Sequence, residues 1–200
     1  MKLVLIRHGA TAWSVSGQHT GHTDIALLPE GIEQANRATA NVRSVLGAEW
    51  ETCKVISSPL QRAHTTAGII FGTDRVSADE NLLEMNYGDY EGLTSPEIRV
   101  NRPDWDLWRD GCPNGETTEQ VGARCDAFLA ARVPSAVGAP GTLAVVAHAH
   151  LLRILAARTL GLPAAQGRLF TLHTAATSVI EDVRGNRCVS LWNRSAEHSS

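Results

Sequence analysis

The chain has 200 residues, 43% hydrophobic and 20% charged, as in an ordinary globular protein of one domain. Its net charge of −3 argues against general nucleic-acid binding, which requires a basic face. No apolar run reaches membrane-spanning length, and the apolar stretch after Lys2 is too short for a signal peptide.

Leu3-Val4-Leu5-Ile6 is a continuous apolar run that stops at Arg7-His8-Gly9. A strand buried on both faces has this pattern, its carboxyl end opening into a loop. In open α/β sheets that end is where ligands bind. A polar loop follows over 10–27. Pro29 opens a helix that runs to about Leu46, proline being suited to a first helical turn. Lys54 to Ser58 reads as a second strand, ended by Pro59, and Leu60 to Phe71 as a helix starting at its carboxyl end. Arg75-Val76-Ser77 is a short third strand. The stretch 81–115 is aromatic and acidic with little periodicity, the mark of a lid or binding loop. In it Trp105 and Trp108, three apart, are expected to share a helix face.

Thr117 with Gln120 forms a capping box for a helix to about Val133. Thr142 to Ala147 is a strong apolar strand ending in His148-Ala149-His150, and Leu151 to Leu160 is the next helix. Arg168–Leu172, Thr177–Val183 and Cys188–Trp192 read as closing strands, with Gly185-Asn186 as a hairpin turn between the last two. The order βαβα, inserted helices, then βα and late strands specifies a three-layer α/β/α sandwich around a mostly parallel sheet, with a helical lid insertion. One domain is expected over 1–194, with the lid at about 81–115 and a flexible tail over 195–200. The cysteines, Cys53, Cys112, Cys125 and Cys188, are too scattered for a zinc site or a disulfide scaffold. Reduced thiols and a cytoplasmic location follow as the expectation.

Three strand ends carry matching chemistry. The first delivers Arg7 and His8. The second delivers Ser57-Ser58-Pro59 and, a helical turn on, Arg62. The fourth delivers His148. If these strands are parallel neighbours, two guanidiniums, two imidazoles and nearby helix N-termini meet at one edge and make a dianion site, with phosphate as the natural guest.

Arg7-His8-Gly9, Ser58-Pro59-Leu60-Gln61-Arg62-Ala63 with Thr66-Ala67, Glu84, Gly88 with Glu91-Gly92-Leu93, and His148 after its strand occur in that order. In this set the chain resembles the histidine phosphatase superfamily, also called phosphoglycerate-mutase-like, to about Leu191. Asp89 to Thr94, Pro103-Asp104-Trp105 and Gly111-Cys112-Pro113 are similar to its short bacterial acid-phosphatase-like branch. The resemblance implies a phosphatase of small-molecule phosphomonoesters that uses no metal and no cofactor. His8 would be the nucleophile, becoming a phosphohistidine. Arg7, Arg62 and His148 would hold the phosphoryl oxygens. Glu84 would protonate the leaving alkoxide and then activate water, and an acidic optimum follows if it must begin protonated near Tyr87. Ser14, Thr20 and Gly21, in the loop after His8, would contact phosphate or substrate, and Ala149 would allow close approach. Ser14 stands where many members have Asn, and Thr20-Gly21 is commoner in mutases.

A phosphoglycerate mutase is the nearest rival, but only Arg99, Arg102 and Arg109 between Glu91 and Glu116 offer grip for a second phosphate and a carboxylate. A metal-dependent hydrolase on His148 and His150, with His8 as a further ligand, lacks a completing cluster. A non-catalytic phospho-ligand module would not need both His8 and Glu84. His19, His22 and His64 read as surface or loop residues, Glu116 as a capping residue, and His150 has no assigned role. The expected partner is the substrate; no nucleic acid or membrane is expected, and a homodimer is left open.

Overall fold

The computed structural model describes residues 1–133 and 141–195. In chain order the elements are β1 (Lys2–Arg7), α1 (Ala12–Ser16), α2 (Pro29–Leu46), β2 (Lys54–Ser57), α3 (Gln61–Phe71) and β3 (Val76–Ala78). Then come α4 (Ser95–Asn101), α5 (Leu107–Asp110), α6 (Thr118–Arg132), β4 (Thr142–Ala147), α7 (Ala149–Thr159), β5 (Thr177–Val183) and β6 (Asn186–Arg194). The strands form a six-stranded sheet in the order β3-β2-β4-β1-β5-β6. β3, β2, β4 and β1 are parallel, and β5 and β6 add antiparallel at one side.

The apolar run of β1 is explained by burial on both faces. Leu3 and Leu5 pack with α6 and α7 residues such as Phe128 and Leu151, while Val4 and Ile6 pack with Ala38, Val42, Ala67 and Ile70 of α2 and α3. Alternate residues thus enter opposite cores. Each such fully buried side chain contributes about 1.5–3 kcal/mol. The expected α/β/α sandwich is therefore the observed one.

The order places β4 between β1 and β2. Arg7 lies level with Ala147, and Ser57 with Val146. His8 N–H donates to the Ala147 carbonyl (3.0 Å) and Ser58 N–H to that of Val146 (3.0 Å), so the ladder continues past the strand ends. The three polar ends are neighbours at one edge.

Several expectations change. The loop over 10–27 contains α1, capped by a reciprocal pair of Thr11 and Ser14. The serine stands where the usual capping box has Glu or Gln, which hid the signal. Arg168–Leu172 is no strand: Ala164–Leu169 is a 3₁₀ turn. The edge of β1 away from β4 is already filled by β5, and the turn packs against α7 instead. Trp105 and Trp108 do not share a helix face. Trp105 precedes α5 and donates from Nε1 to the Gly111 carbonyl (2.9 Å), while Asp106 caps α5 by accepting from Trp108 N–H. The hairpin turns at Arg184-Gly185, both with positive φ (50° and 82°), one residue before the expected position. Of the expected tail, Ser195 is described, its carbonyl accepting from Asn41 Nδ2 (3.1 Å), and the rest lies outside the described residues.

The stretch 81–115 is a wall of one core. Met85, Tyr87, Ile98, Trp105, Leu107 and Cys112 all enter it. Its two ends are tied to α6, where Arg124 binds Glu116 (2.7 Å), just past the stretch, and the carbonyls of Asn81 and Leu83 (2.8 and 3.0 Å).

Gly9 and Gly31 let the loop after β1 close onto the first turn of α2. A Cβ on Gly9 would lie 2.2 Å from the Gly31 carbonyl oxygen, and one on Gly31 2.2 Å from that of Ala10. Backbone against backbone leaves nothing flexible to yield. Gly9→Ala is expected to lower unfolding free energy by about 1–3 kcal/mol or more, measured as a drop in the urea midpoint; an unchanged midpoint would mean the approach is not tight.

Candidate active site

His8 follows the last residue of β1 and is 4% exposed. Its Nδ1 lies 2.7 Å from the carbonyl oxygen of Gly9. A carbonyl can only accept, so Nδ1 carries the proton and Nε2 keeps its lone pair. Burial first, then the charges of Arg7 and Arg62, hold His8 well below the usual imidazole range. The ring is thus neutral at pH 7. Its backbone is fixed as well: the carbonyl accepts from Ala175 N–H (3.1 Å), and Ala175 sits at φ 55°, an uncommon conformation for a residue with a side chain.

His148 occupies the cap position of α7 and is fully buried. Arg62 Nε donates to its Nδ1 (3.1 Å). A guanidinium cannot accept, so His148 Nδ1 is the acceptor and Nε2 carries the proton, which it donates to Ser58 Oγ (2.8 Å). Burial, then the charge of Arg62, holds His148 too well below its ordinary range. The two imidazoles meet edge to face with centroids 5.2 Å apart.

Arg62 is the most deeply set of the cations, with no exposed surface. Besides His148 it donates to the carbonyls of Thr23 (2.9 Å), Thr20 (3.1 Å) and Gly21 (2.8 Å). Glu91 holds the same loop from the other side, accepting from Gly21 N–H (2.8 Å) and Thr23 N–H (3.1 Å). Arg7 donates from Nη1 to the Leu172 carbonyl (2.7 Å), and its Nε is sealed from solvent without a partner.

Glu84 is 3% exposed and reaches across from the 81–115 wall to the start of α7. Its Oε1 accepts from Leu151 N–H and Met85 N–H (both 2.9 Å), and Oε2 accepts from His150 N–H (3.1 Å). It supplies the cap that His148 does not make. This explains why α7 begins at Ala149, two residues before the expected start. Arg124 holds the backbone of the same stretch, including the Glu84 carbonyl (3.3 Å).

A cavity of about 250 Å³ opens over these groups. Of the residues singled out from sequence, Arg7, His8, Ser14, Thr20, Glu84 and Ala149 line it. Arg62, His148 and Gly21 stand directly behind them. Ser14 has its hydroxyl engaged with the backbone of Thr11, donating to the carbonyl (3.0 Å) and accepting from N–H (2.9 Å). It shapes the loop as well as the wall.

A family model described as histidine phosphatase superfamily (branch 1) matches residues 3–195. The chain belongs to the histidine phosphatase superfamily. A Mycobacterium tuberculosis acid phosphatase is 38% identical to it over 179 residues, covering 89% of this chain and 85% of the relative. A Saccharomyces cerevisiae sedoheptulose 1,7-bisphosphatase is 37% identical over 186 residues, covering 80% and 68%. A solved structure of a Mycobacterium tuberculosis open reading frame product superposes with a TM-score of 0.86 at 34% identity, over 98% of both chains. The resemblance read from the motifs and the fold it implied are both borne out.

The cavity also has residues that were not expected in it. His19, expected as a surface or loop residue, lies in a loop, but it lines the cavity, 4.7 Å from Tyr87 and 5.7 Å from Trp105 between ring centres. His150 lines it too, with Nδ1 2.6 Å from the Tyr87 hydroxyl. Arg153 and Trp13 complete the outer wall. His150 and Arg153 are three apart on α7, a spacing that marks one helix face. Arg124 was legible in the same way, three residues after buried Val121 and beside buried Cys125. His19 lies in a loop, where no periodicity points inward. Glu116, expected as a cap, accepts from Asn86 N–H (2.8 Å) and pairs with Arg124.

His8, His148 and His150 share one consequence. Burial lowers the proton affinity of all three in the fold. The unfolded chain protonates each below about pH 6.5. Stability is therefore complete above that value and falls as pH drops from it toward the lowered native values, by at most about 1.4 kcal/mol per pH unit for each ring. Urea unfolding at pH 7.5 and pH 5.5 is expected to show a lower midpoint at the acidic value. Equal midpoints would contradict the neutral, buried state assigned to these rings.

Proposed function

We propose that the chain hydrolyses small-molecule phosphomonoesters through a phosphohistidine on His8. The observation that carries this reading is the fixed tautomer of His8, whose Nε2 lone pair is free in a cavity that also holds Arg7 and Glu84. Nε2 attacks phosphorus in line, forming the N–P bond as the ester P–O bond breaks. Arg7, whose side chain lines the cavity, takes phosphoryl oxygens directly. Arg62 acts from behind by its charge, and its bond to Nδ1 of His148 keeps the Nε2–H of that ring as a donor. These fixed positive groups stabilise the charge on the transferring phosphoryl group. Glu84 gives its proton to the leaving alkoxide and then takes one from the attacking water, whose oxygen displaces His8 from phosphorus.

The geometry speaks against a metal site on His148 and His150. Both nitrogens of His148 are engaged, one by a guanidinium that would repel a cation. No group of three or more His, Cys, Asp or Glu among the described residues is disposed to hold a metal ion. We also place the protein in the cytoplasm. Its four cysteines are free, and burial pushes the thiols of Cys112 and Cys125 up to about 12, leaving them inert. No helix among the described residues is long and apolar enough to cross a membrane.

Phosphate release from a panel of sugar phosphates, phosphoglycerates and aryl phosphates tests this, with a strong chelator present and a mutase assay on a phosphoglycerate alongside. His8→Ala is expected to lose roughly 10³-fold or more of kcat, and Glu84→Gln about 10²–10⁴-fold. The wild type is expected to keep its activity in chelator. Full activity of His8→Ala would end the covalent reading. Isomerisation outrunning phosphate release would make the chain a mutase.

A further inference from the structure

His8 can attack only while its proton stays on Nδ1, and the Gly9 carbonyl is what keeps it there (2.7 Å). Without that acceptor the proton is free to sit on Nε2 and close the lone pair. The carbonyl is itself held. Its carbon is bonded to the Ala10 nitrogen, so the Gly9 oxygen and the Ala10 N–H belong to one peptide group. Ala10 N–H donates to Gln34 Oε1 (2.9 Å). In an amide side chain only the oxygen can accept from N–H, so this contact also fixes which way the Gln34 amide sits. A peptide group is planar and close to rigid. Gln34 therefore sets the plane in which the Gly9 oxygen faces Nδ1.

Gln34 stands outside the cavity lining. It lies on α2, three residues after buried Gly31 and four before buried Ala38, and so shares their inward face. Ala10 is 3% exposed, which leaves its N–H little water to turn to. The other groups of this turn are tied independently. Gly9 N–H donates to Thr66 Oγ1 (3.1 Å), Leu28 N–H to the Ala10 carbonyl (2.9 Å), and Ala175 N–H to the His8 carbonyl (3.1 Å). These contacts hold the loop on α2, α3 and β5 without Gln34. What Gln34 adds is a partner for the one N–H opposite the carbonyl that His8 uses. The result is a chain from Nδ1–H through the peptide to Oε1, in which each hydrogen bond polarises the next.

We propose that Gln34 is a positioning residue for the nucleophile, acting through the Gly9–Ala10 peptide to hold the proton on His8 Nδ1 and keep Nε2 open. This rests on the phosphatase reading of His8. The test joins kinetics to proton–nitrogen correlation spectra of the imidazoles, with His8→Ala to assign the His8 ring. Wild-type His8 is expected to show a protonated Nδ1 and a bare Nε2 at neutral pH. Gln34→Met removes the acceptor at similar length. It is expected to move the His8 proton toward Nε2 while the His148 pattern stays as it was. Its kcat for an aryl phosphate is expected to fall about 10–100-fold with KM little changed, the size of effect of outer partners that orient a metal-bound imidazole. Gln34→Glu keeps an oxygen acceptor and is expected to restore most of both.

A Gln34→Met variant that keeps either the wild-type kcat or the wild-type His8 tautomer would overturn the proposal alone. So would equal losses in Gln34→Met and Gln34→Glu, the mark of a packing role. Gln34→Asn, whose amide falls one methylene short, carries the same test should Gln34→Met not fold. No phosphate release by the wild type from any ester would overturn the phosphatase reading and the proposal with it.

Discussion

Two guanidiniums are held at the carboxyl edge of the sheet without a carboxylate to neutralise them. Arg62 has no exposed surface and is satisfied by three carbonyls and an imidazole. Arg7 has a carbonyl on one nitrogen and nothing on its sealed Nε. Buried charge is costly unless paired. Carbonyl dipoles offset part of that cost, and a bound phosphate offsets the rest. Glu84, the nearby carboxylate, is turned to the first turn of α7 instead. The fold therefore keeps a positive site open for a dianion from outside.

Burial, with the same pair of charges adding to it, sets the state of the two imidazoles. Burial and then the positive neighbours keep His8 neutral, and a neutral ring is what can attack phosphorus. The Gly9 carbonyl then chooses which nitrogen is free. Arg62 does the equivalent for His148 by donating to Nδ1, and Ser58 receives the remaining proton. Glu91 and Arg62 clamp the 20–23 loop between them, so the floor of the cavity is fixed before any ligand arrives. Preorganisation of this kind is the largest source of transition-state stabilisation in many enzymes.

Much of this was legible in the residues. The apolar runs of β1 and β4 are continuous because both faces of those strands are covered, so strand ends and their polar cargo could be read directly. Glu84 had no such signal of its own: it lies outside regular structure, and only the resemblance marked it. The contacts of the outer wall were not legible for a different reason. His19 and Trp13 come from the stretch after β1, and Trp108 and Tyr87 from the aperiodic wall, and which of them meet is decided by tertiary packing. The supposed strand at 168–172 failed because local propensity cannot report that the slot beside β1 is already taken by β5. Ser14 shows the reverse case, a residue expected at the phosphate whose hydroxyl caps its own helix.

The central claim is that His8 Nε2 bonds covalently to phosphorus during turnover. Rapid mixing of enzyme with an aryl phosphate, an alkaline quench that preserves phosphohistidine, and peptide mass spectrometry test it most directly. The account predicts one phosphoryl group on the peptide containing His8, formed within a single turnover and absent from His8→Ala. Phosphate release at full rate with no phosphorylated His8 at any quench time, or with the phosphoryl group on His148 or His150, would contradict it.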